Sequence, residues 1–204
     1  MARESFYPRE RQVIKKETFR GGERLVRRNH GVPTDIEFDT HNFGRAVFHE
    51  TTSGITYEHF SQMLGAKTLI FWIYPEDWGV GCGGTCKFFS NGRLELGLWG
   101  GVNNYFWATS GGVDYINTGE DSLELDKWYC LALVREADGN SNMYINGELS
   151  GDADQDSGTP VLPLTSVVVG NDVWEAFPFY GVMEMFKIYN YCLSAPEILN
   201  VYQG

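Results

Sequence analysis

Among residues able to do chemistry, the acids have the most suggestive spacing. Glu124-Leu125-Asp126 sets two carboxylates two residues apart, on one face of any strand that carries them. A carboxylate pair about 5 Å apart is what retaining glycoside hydrolysis uses. Asp152, Asp154 and Asp156 alternate through residues 152–158 and offer the hard oxygen donors that calcium prefers, with Asp172 available from a second loop. The segment is no EF-hand: its glycine falls one place late, and the twelfth position is Pro163 where glutamate is required. The four histidines, His30, His41, His49 and His59, all precede residue 60 and stand beside no serine or cysteine elbow, so they read as surface or packing residues. Cys82 and Cys86 are close enough to bridge or to join a metal site. No second Cys or His pair stands at ligand spacing, and partly buried thiols are the preferred reading.

Aromatic residues supply a different chemistry. Trp99, Tyr105, Phe106, Trp107 and Tyr115 lie among Gly100-Gly101, Asn103-Asn104 and Gly111-Gly112, and Trp174, Phe177, Phe179 and Tyr180 cluster later. Exposed rings beside amides and carboxylates suit sugars, because a ring covers C–H faces while polar neighbours take the hydroxyls. Strand alternation sends about half of such rings inward. Trp72, Trp107 and Trp128 are assigned to the core, and Trp99, Tyr105 and Trp174 remain as glycan-binding candidates.

The elements that must position these groups are mostly strands. The chain is 15% aromatic and contains 24 glycines, a composition suited to strands joined by tight turns, and its 204 residues are enough for one domain. Thr68-Leu-Ile-Phe-Trp-Ile-Tyr74 reads as a strand ending at Pro75, and Arg93-Leu-Glu-Leu-Gly-Leu-Trp99 alternates as a half-buried strand does. Further strands are expected over residues 104–109, 127–135, 142–145, 164–169 and 181–189. Asn146-Gly147 accepts the positive φ values of a two-residue hairpin turn. Ser194-Ala-Pro-Glu197 is a capping box that opens one helix through Tyr202. Many short strands with one terminal helix point to an antiparallel β-sandwich.

These segments also carry a resemblance. Thr68-Leu-Ile-Phe-Trp-Ile-Tyr-Pro75, Lys127-Trp128, Met143-Tyr-Ile-Asn-Gly-Glu-Leu149, Val168-Val-Gly170 and the closing run from Phe179 to Asn190 follow one another in an order that resembles the laminin-G-like jelly roll of the concanavalin-A-like superfamily. The resemblance covers about residues 36–204 and implies two antiparallel sheets packed face to face. It places Glu124 and Asp126 in the turn before the Lys127-Trp128 strand. There they are solvated edge acids, and Trp128 stands where the glycosidases of this superfold continue their acidic series. Glu184 and Met185 replace the acids usual in the family's closing strand, which weakens an inherited metal site. The expectation is a protein that is not an enzyme, requires no cofactor, and has calcium as an optional ligand.

Charge divides the chain at the edge of that resemblance. Residues 1–30 carry nine bases against four glutamates, a balance of +5, which leaves −16 for the remainder of a chain whose total is −11. The glutamates, and repulsion from the acidic body, argue against nucleic acid. No apolar run approaches a membrane span or a secretory core, so no signal peptide is expected. Residues 1–35 are read as an extended basic N-terminal arm, with Val13, Ile14, Phe19 and Leu25 as apolar anchors and Arg9, Arg11, Arg20, Arg27 and Arg28 as donors to protein neighbours. Laminin-G-like modules generally work outside cells. A leaderless one fits a virion decoration, fibre or adhesion protein, made in the cytoplasm, exposed on the particle and compatible with homo-oligomers. A soluble glycan-binding lectin is the alternative, and a glycoside hydrolase is disfavoured.

Overall fold

The computed structural model describes residues 13–18, 31–34, 36–39, 45–58, 67–79, 83–92, 94–101, 103–110, 114–136, 140–150, 154–155 and 166–204. In chain order the first strands are β1 (Val13–Thr18), β2 (Gly31–Thr34), β3 (Ile36–Asp39), β4 (Arg45–Phe48), β5 (Gly54–Glu58), β6 (Lys67–Asp77), β7 (Thr85–Ser90) and β8 (Leu94–Trp99). They are followed by β9 (Tyr105–Ser110), β10 (Asp114–Asn117), β11 (Tyr129–Arg135), β12 (Asn140–Ile145), β13 (Glu148–Leu149), β14 (Asp154–Gln155), β15 (Ser166–Val169) and β16 (Tyr180–Tyr189). The helix α1 (Ala195–Gln203) closes the chain. A nine-stranded sheet runs β13-β12-β11-β6-β16-β4-β3, with β1 beside β16 and β14 beside β12. A seven-stranded sheet runs β10-β9-β8-β7-β15-β5-β2. All pairings are antiparallel, and the two sheets form the jelly-roll sandwich expected from the sequence.

Period two decides what each strand buries. Leu94, Leu96 and Leu98 of β8 enter the core between the sheets, which puts Glu95, Gly97 and Trp99 on the outer face. Phe71 of β6 sits at the centre of that core, with ring centroids 5.0 Å from Phe88, 5.6 Å from Phe89 and 5.9 Å from Phe186. β6 and β11 are apolar on both faces because both are covered. Leu69, Phe71, Ile73, Leu131 and Leu133 face the opposite sheet. Ile70, Cys130, Ala132 and Val134 form a second cluster with Leu193 and Ile198 of the C-terminal segment.

Local signals in the sequence are realised closely. Asn146 and Gly147 have φ of 52° and 86°, and Ile145 pairs with Glu148 across them. Ser194 donates from its amide (2.8 Å) and its hydroxyl (2.7 Å) to the Glu197 carboxylate at the start of α1.

Four expectations change. β6 passes through Pro75 to Asp77, because the pairing with β16 shifts register beside Gly181 and the missing N–H falls at that irregularity. The strand expected from Lys127 starts at Tyr129, since Asp126 turns with φ 58°. Trp72 and Trp128 are half-buried on the reverse of the nine-stranded sheet: Lys187 stands 5.4 Å above the Trp72 ring, and Arg45 4.5 Å above that of Trp128. The sandwich also begins before residue 36. β2 pairs with β5, and β1 carries Val13 and Ile14 of the expected arm into a ladder along the Met185 to Tyr189 part of β16. Arg9, Arg11, Phe19, Arg20, Leu25, Arg27 and Arg28 lie outside the described residues.

Two titrating groups are buried in the nine-stranded sheet. Desolvation, with repulsion from Arg135, lowers Lys67 to about 8, and burial pushes the Cys130 thiol up to about 12. From about pH 8 the unfolded chain binds a proton at Lys67 that the folded protein has released, so this group raises stability as pH rises. Cys130 acts oppositely above its ordinary value of 9.0, where only the unfolded thiol ionises. The urea midpoint of the protein is therefore expected to rise between pH 8 and pH 9, and the slope to flatten in Lys67→Met. Equal slopes in the two proteins would exclude this account.

Candidate functional site

The outer face of the seven-stranded sheet gathers polar and aromatic side chains that the core has turned away. Lys87 of β7 would be an odd residue among the buried neighbours Cys86, Phe88 and Phe89, and it projects to this face. Its ammonium lies 3.0 Å from Glu95 Oε1 and 3.3 Å from Asp172 Oδ2, with the Phe177 ring centroid at 4.4 Å and that of Trp174 at 5.9 Å. The Lys87 side chain is 9% exposed and that of Asp172 is 0% exposed, so this is a buried ion cluster in which each charge requires the other.

Asp172 also builds the loop beside it. Its Oδ1 accepts the N–H groups of Trp174 (3.1 Å) and Ala176 (2.8 Å), and the Lys87 amide donates to the Phe177 carbonyl at 2.8 Å. The loop leaves β15 at Gly170, whose φ of +89° and contact with the Phe48 ring admit no side chain. Trp174 is thereby held at 68% exposure on a fixed backbone.

Trp99 and Tyr105 are opposed residues on β8 and β9, and their rings lie near-parallel at 6° with centroids 6.3 Å apart. Trp99 is 40% exposed and Tyr105 half-buried. Trp107 shares this face but lies down on Gly97, where a Cβ would stand 2.5 Å from the indole; it is buried, though outside the core between the sheets. Phe106 and Phe179 turn into that core. Of Tyr115, only its backbone place in β10 is described.

On the other side of the Trp174 loop a cleft of about 180 Å³ opens over β5, β15 and β2. Thr34, Thr52, Thr56 and Ser166 line it, with Val168 on its floor and Glu175 at the loop. Sequence reasoning missed this cleft and Lys87. Alternation in β5 and β15 marks Thr56 and Val168 as outward-facing, but only the pairing Thr56↔Val168 reveals that they meet.

The remaining candidates are placed as follows. Glu124 is an exposed acid 2.6 Å from Lys127, whose ammonium it holds above the usual range, and Asp126 occupies the turn before β11. His49 stands on the surface 3.8 Å from Glu76, while His30, His41, His59 and Cys82 lie outside the described residues. So do Asp152 and Asp156; Asp154 is described only as backbone in β14, paired with Ser141. The structure does not bring Asp172 to them as a described group, and its oxygens face Lys87 and two amides. No group of three or more His, Cys, Asp or Glu residues suited to a metal occurs among the described residues. Nor is any helix among them long and apolar enough to cross a membrane.

Residues 49–199 match the Laminin_G_3 family model, described as the concanavalin A-like lectin/glucanases superfamily. The comparison with curated proteins finds no match. Among solved structures, domain 4 of AbnA, a GH43 extracellular arabinanase from Geobacillus stearothermophilus in complex with arabinotriose, is similar at TM-score 0.72 and 20% identity, over 95% of this chain and 100% of that one. The botulinum neurotoxin type G receptor binding domain is similar at 0.67 and 16%, over 94% of this chain and 51% of that chain, so this protein spans about half of it. A heptameric SAP-like pentraxin from Limulus polyphemus is similar at 0.60 and 17%, over 76% and 80%. At these identities the likeness is one of fold.

Replacing Lys87 by methionine leaves the wholly buried Asp172 carboxylate without its cation. The expected cost is about 3–5 kcal/mol of unfolding free energy, measured by urea denaturation. Faster amide exchange at Trp174 and Ala176 should accompany it, and unaltered stability and exchange would refute the structural role of the cluster.

Proposed function

The chain belongs to the laminin-G-like family of the concanavalin A-like lectin/glucanases superfamily, and from that premise we propose that it is a non-enzymatic carbohydrate-binding module whose ligand lies on the outer face of the seven-stranded sheet. One observation carries the reading: three exposed or half-exposed rings, Trp99, Tyr105 and Trp174, share a face with a hydroxyl-lined cleft. Rings cover the apolar faces of sugars, and the threonines, Ser166 and carboxylates serve their hydroxyls. Trp99 lies four residues along β8 from Glu95, beside which Trp174 is mounted, a separation of about 13 Å at the rise of a strand. That span suits an oligosaccharide or polysaccharide chain better than a single sugar.

The reading requires no cofactor; calcium at Asp152, Asp154 and Asp156 is an optional addition to it. Support for a module without hydrolytic activity comes from Glu124 and Asp126, one paired with Lys127 and the other in a turn. Arabinan is a reasonable first probe, because the arabinanase domain of the same fold is held in complex with arabinotriose. By affinity electrophoresis against a polysaccharide panel, Trp99→Ala and Trp174→Ala are each expected to weaken binding by about tenfold. Trp174→Ala should leave the melting temperature unchanged. Undiminished affinity in both variants, or glycoside hydrolysis by the parent, would overturn the proposal.

The +5 balance of residues 1–30 favours a second, compatible role as a module displayed on a larger assembly such as a virion surface, with partners held through the basic residues on either side of β1, Arg3, Arg9 and Arg11 among them. A chain lacking residues 1–12, which keeps β1, should then melt normally but fail to co-purify with the particle. Normal incorporation would exclude attachment through that segment.

A further inference from the structure

We infer that the ligand of this face is an uncharged glycan, and that the ion cluster around Lys87 makes the site reject glycans bearing carboxylates or sulfates. The inference rests on the carbohydrate-binding reading and concerns its specificity. An acidic sugar is recognised where a cation is free to meet it, as a bidentate arginine or an accessible lysine. Among the described residues of this face, Lys87 is the sole cation. It is not accessible: its ammonium is closed in by two carboxylates and two rings, with 9% of the side chain exposed.

The balance of the cluster is also unfavourable to an anion. Two carboxylates surround one ammonium, so the unit keeps a net negative charge. Exposed Glu175 adds another at the cleft beside it. Low-dielectric walls strengthen that field at short range. A uronate or sulfate laid across the Trp174 loop would meet like charge with no cationic partner among the described residues, a juxtaposition that costs affinity and sharpens selection against the wrong ligand. Neutral hydroxyls meet the opposite situation. They donate to Glu175 and accept from the threonine and serine hydroxyls of the cleft, which act in either direction. Glu95 is engaged by Lys87 and by the Ser90 hydroxyl (3.3 Å), so Glu175 is the acid left to face a ligand.

The test compares uncharged polysaccharides (arabinan, galactan, xylan, mannan and mixed-linkage β-glucan) with polygalacturonate, heparin and sialyllactose, each against the full chain at low and at physiological salt. Retention by at least one uncharged probe, with every acidic probe at least about tenfold weaker, supports the inference. Under the same conditions Glu175→Gln should narrow that gap without changing the melting temperature. Tightest binding to an acidic probe overturns the inference and leaves the carbohydrate-binding reading standing. Failure of every probe, charged and uncharged, at low salt defeats both.

Discussion

Packing of Phe71 against Phe88 and Phe89 of the facing sheet, and against Phe186 beside it in its own, is the constraint on which the remaining geometry depends. Side chains alternate along a regular strand, so anchoring one ring of β6 in the core sets the parity of the residues paired to it in β11 and, up to the irregularity between Met183 and Met185, in β16. The same logic in the facing sheet commits Leu94, Leu96 and Leu98 inward and hands Glu95, Gly97 and Trp99 to the outer face. A register slip of one residue would exchange the outer aromatic face for the core. The aromatic surface is thus a by-product of how the core is filled.

Among the described residues, the two outer faces of the sandwich differ because a helix seals only one of them. On the nine-stranded sheet, Leu193 and Ile198 cover Ile70, Ala132 and Val134, and Gly147 of the β12-β13 turn lies against Leu199 and Tyr202. On the seven-stranded sheet the corresponding job falls to a short loop built on Asp172. Buried ion pairs contribute little net stability compared with apolar packing, but they are sensitive to geometry, since each partner left alone is costly. Such a cluster suits a loop that must hold Trp174 outward on a defined backbone. It also removes from solvent the only described cation of the face.

Legibility in the sequence followed the range of the interactions. The Asn146-Gly147 turn, the Ser194–Glu197 cap and the alternation of β8 depend on neighbours a few residues away, and the structure matches them. Trp99 and Trp174 were legible as outward rings for the same reason: one ends an alternating strand, and the other sits in a polar loop. Trp72 packs against the cluster of Ile70 and Ala132, outside the core between the sheets, and both it and Trp128 are half-buried beneath the cations Lys187 and Arg45, whose positions depend on strand pairing. β1 was read as part of an arm because Val13–Thr18 is polar enough to belong to either; its partner, β16, lies at the other end of the chain.

The sequence by itself determined the class of the molecule: an acidic sandwich of short strands with one capped terminal helix, preceded by a basic segment, with rings placed where a sugar could use them. It determined these because strand periodicity, turn chemistry and capping are local and are written in residues close together. Only the tertiary structure decided that Lys87 meets Asp172 across 85 positions, that Thr56 and Val168 share a cleft, and that Trp99 and Trp174 look out from one face. Those facts depend on which strands become neighbours, and that is settled by burying Phe71 and its partners together, a property of the whole folded chain.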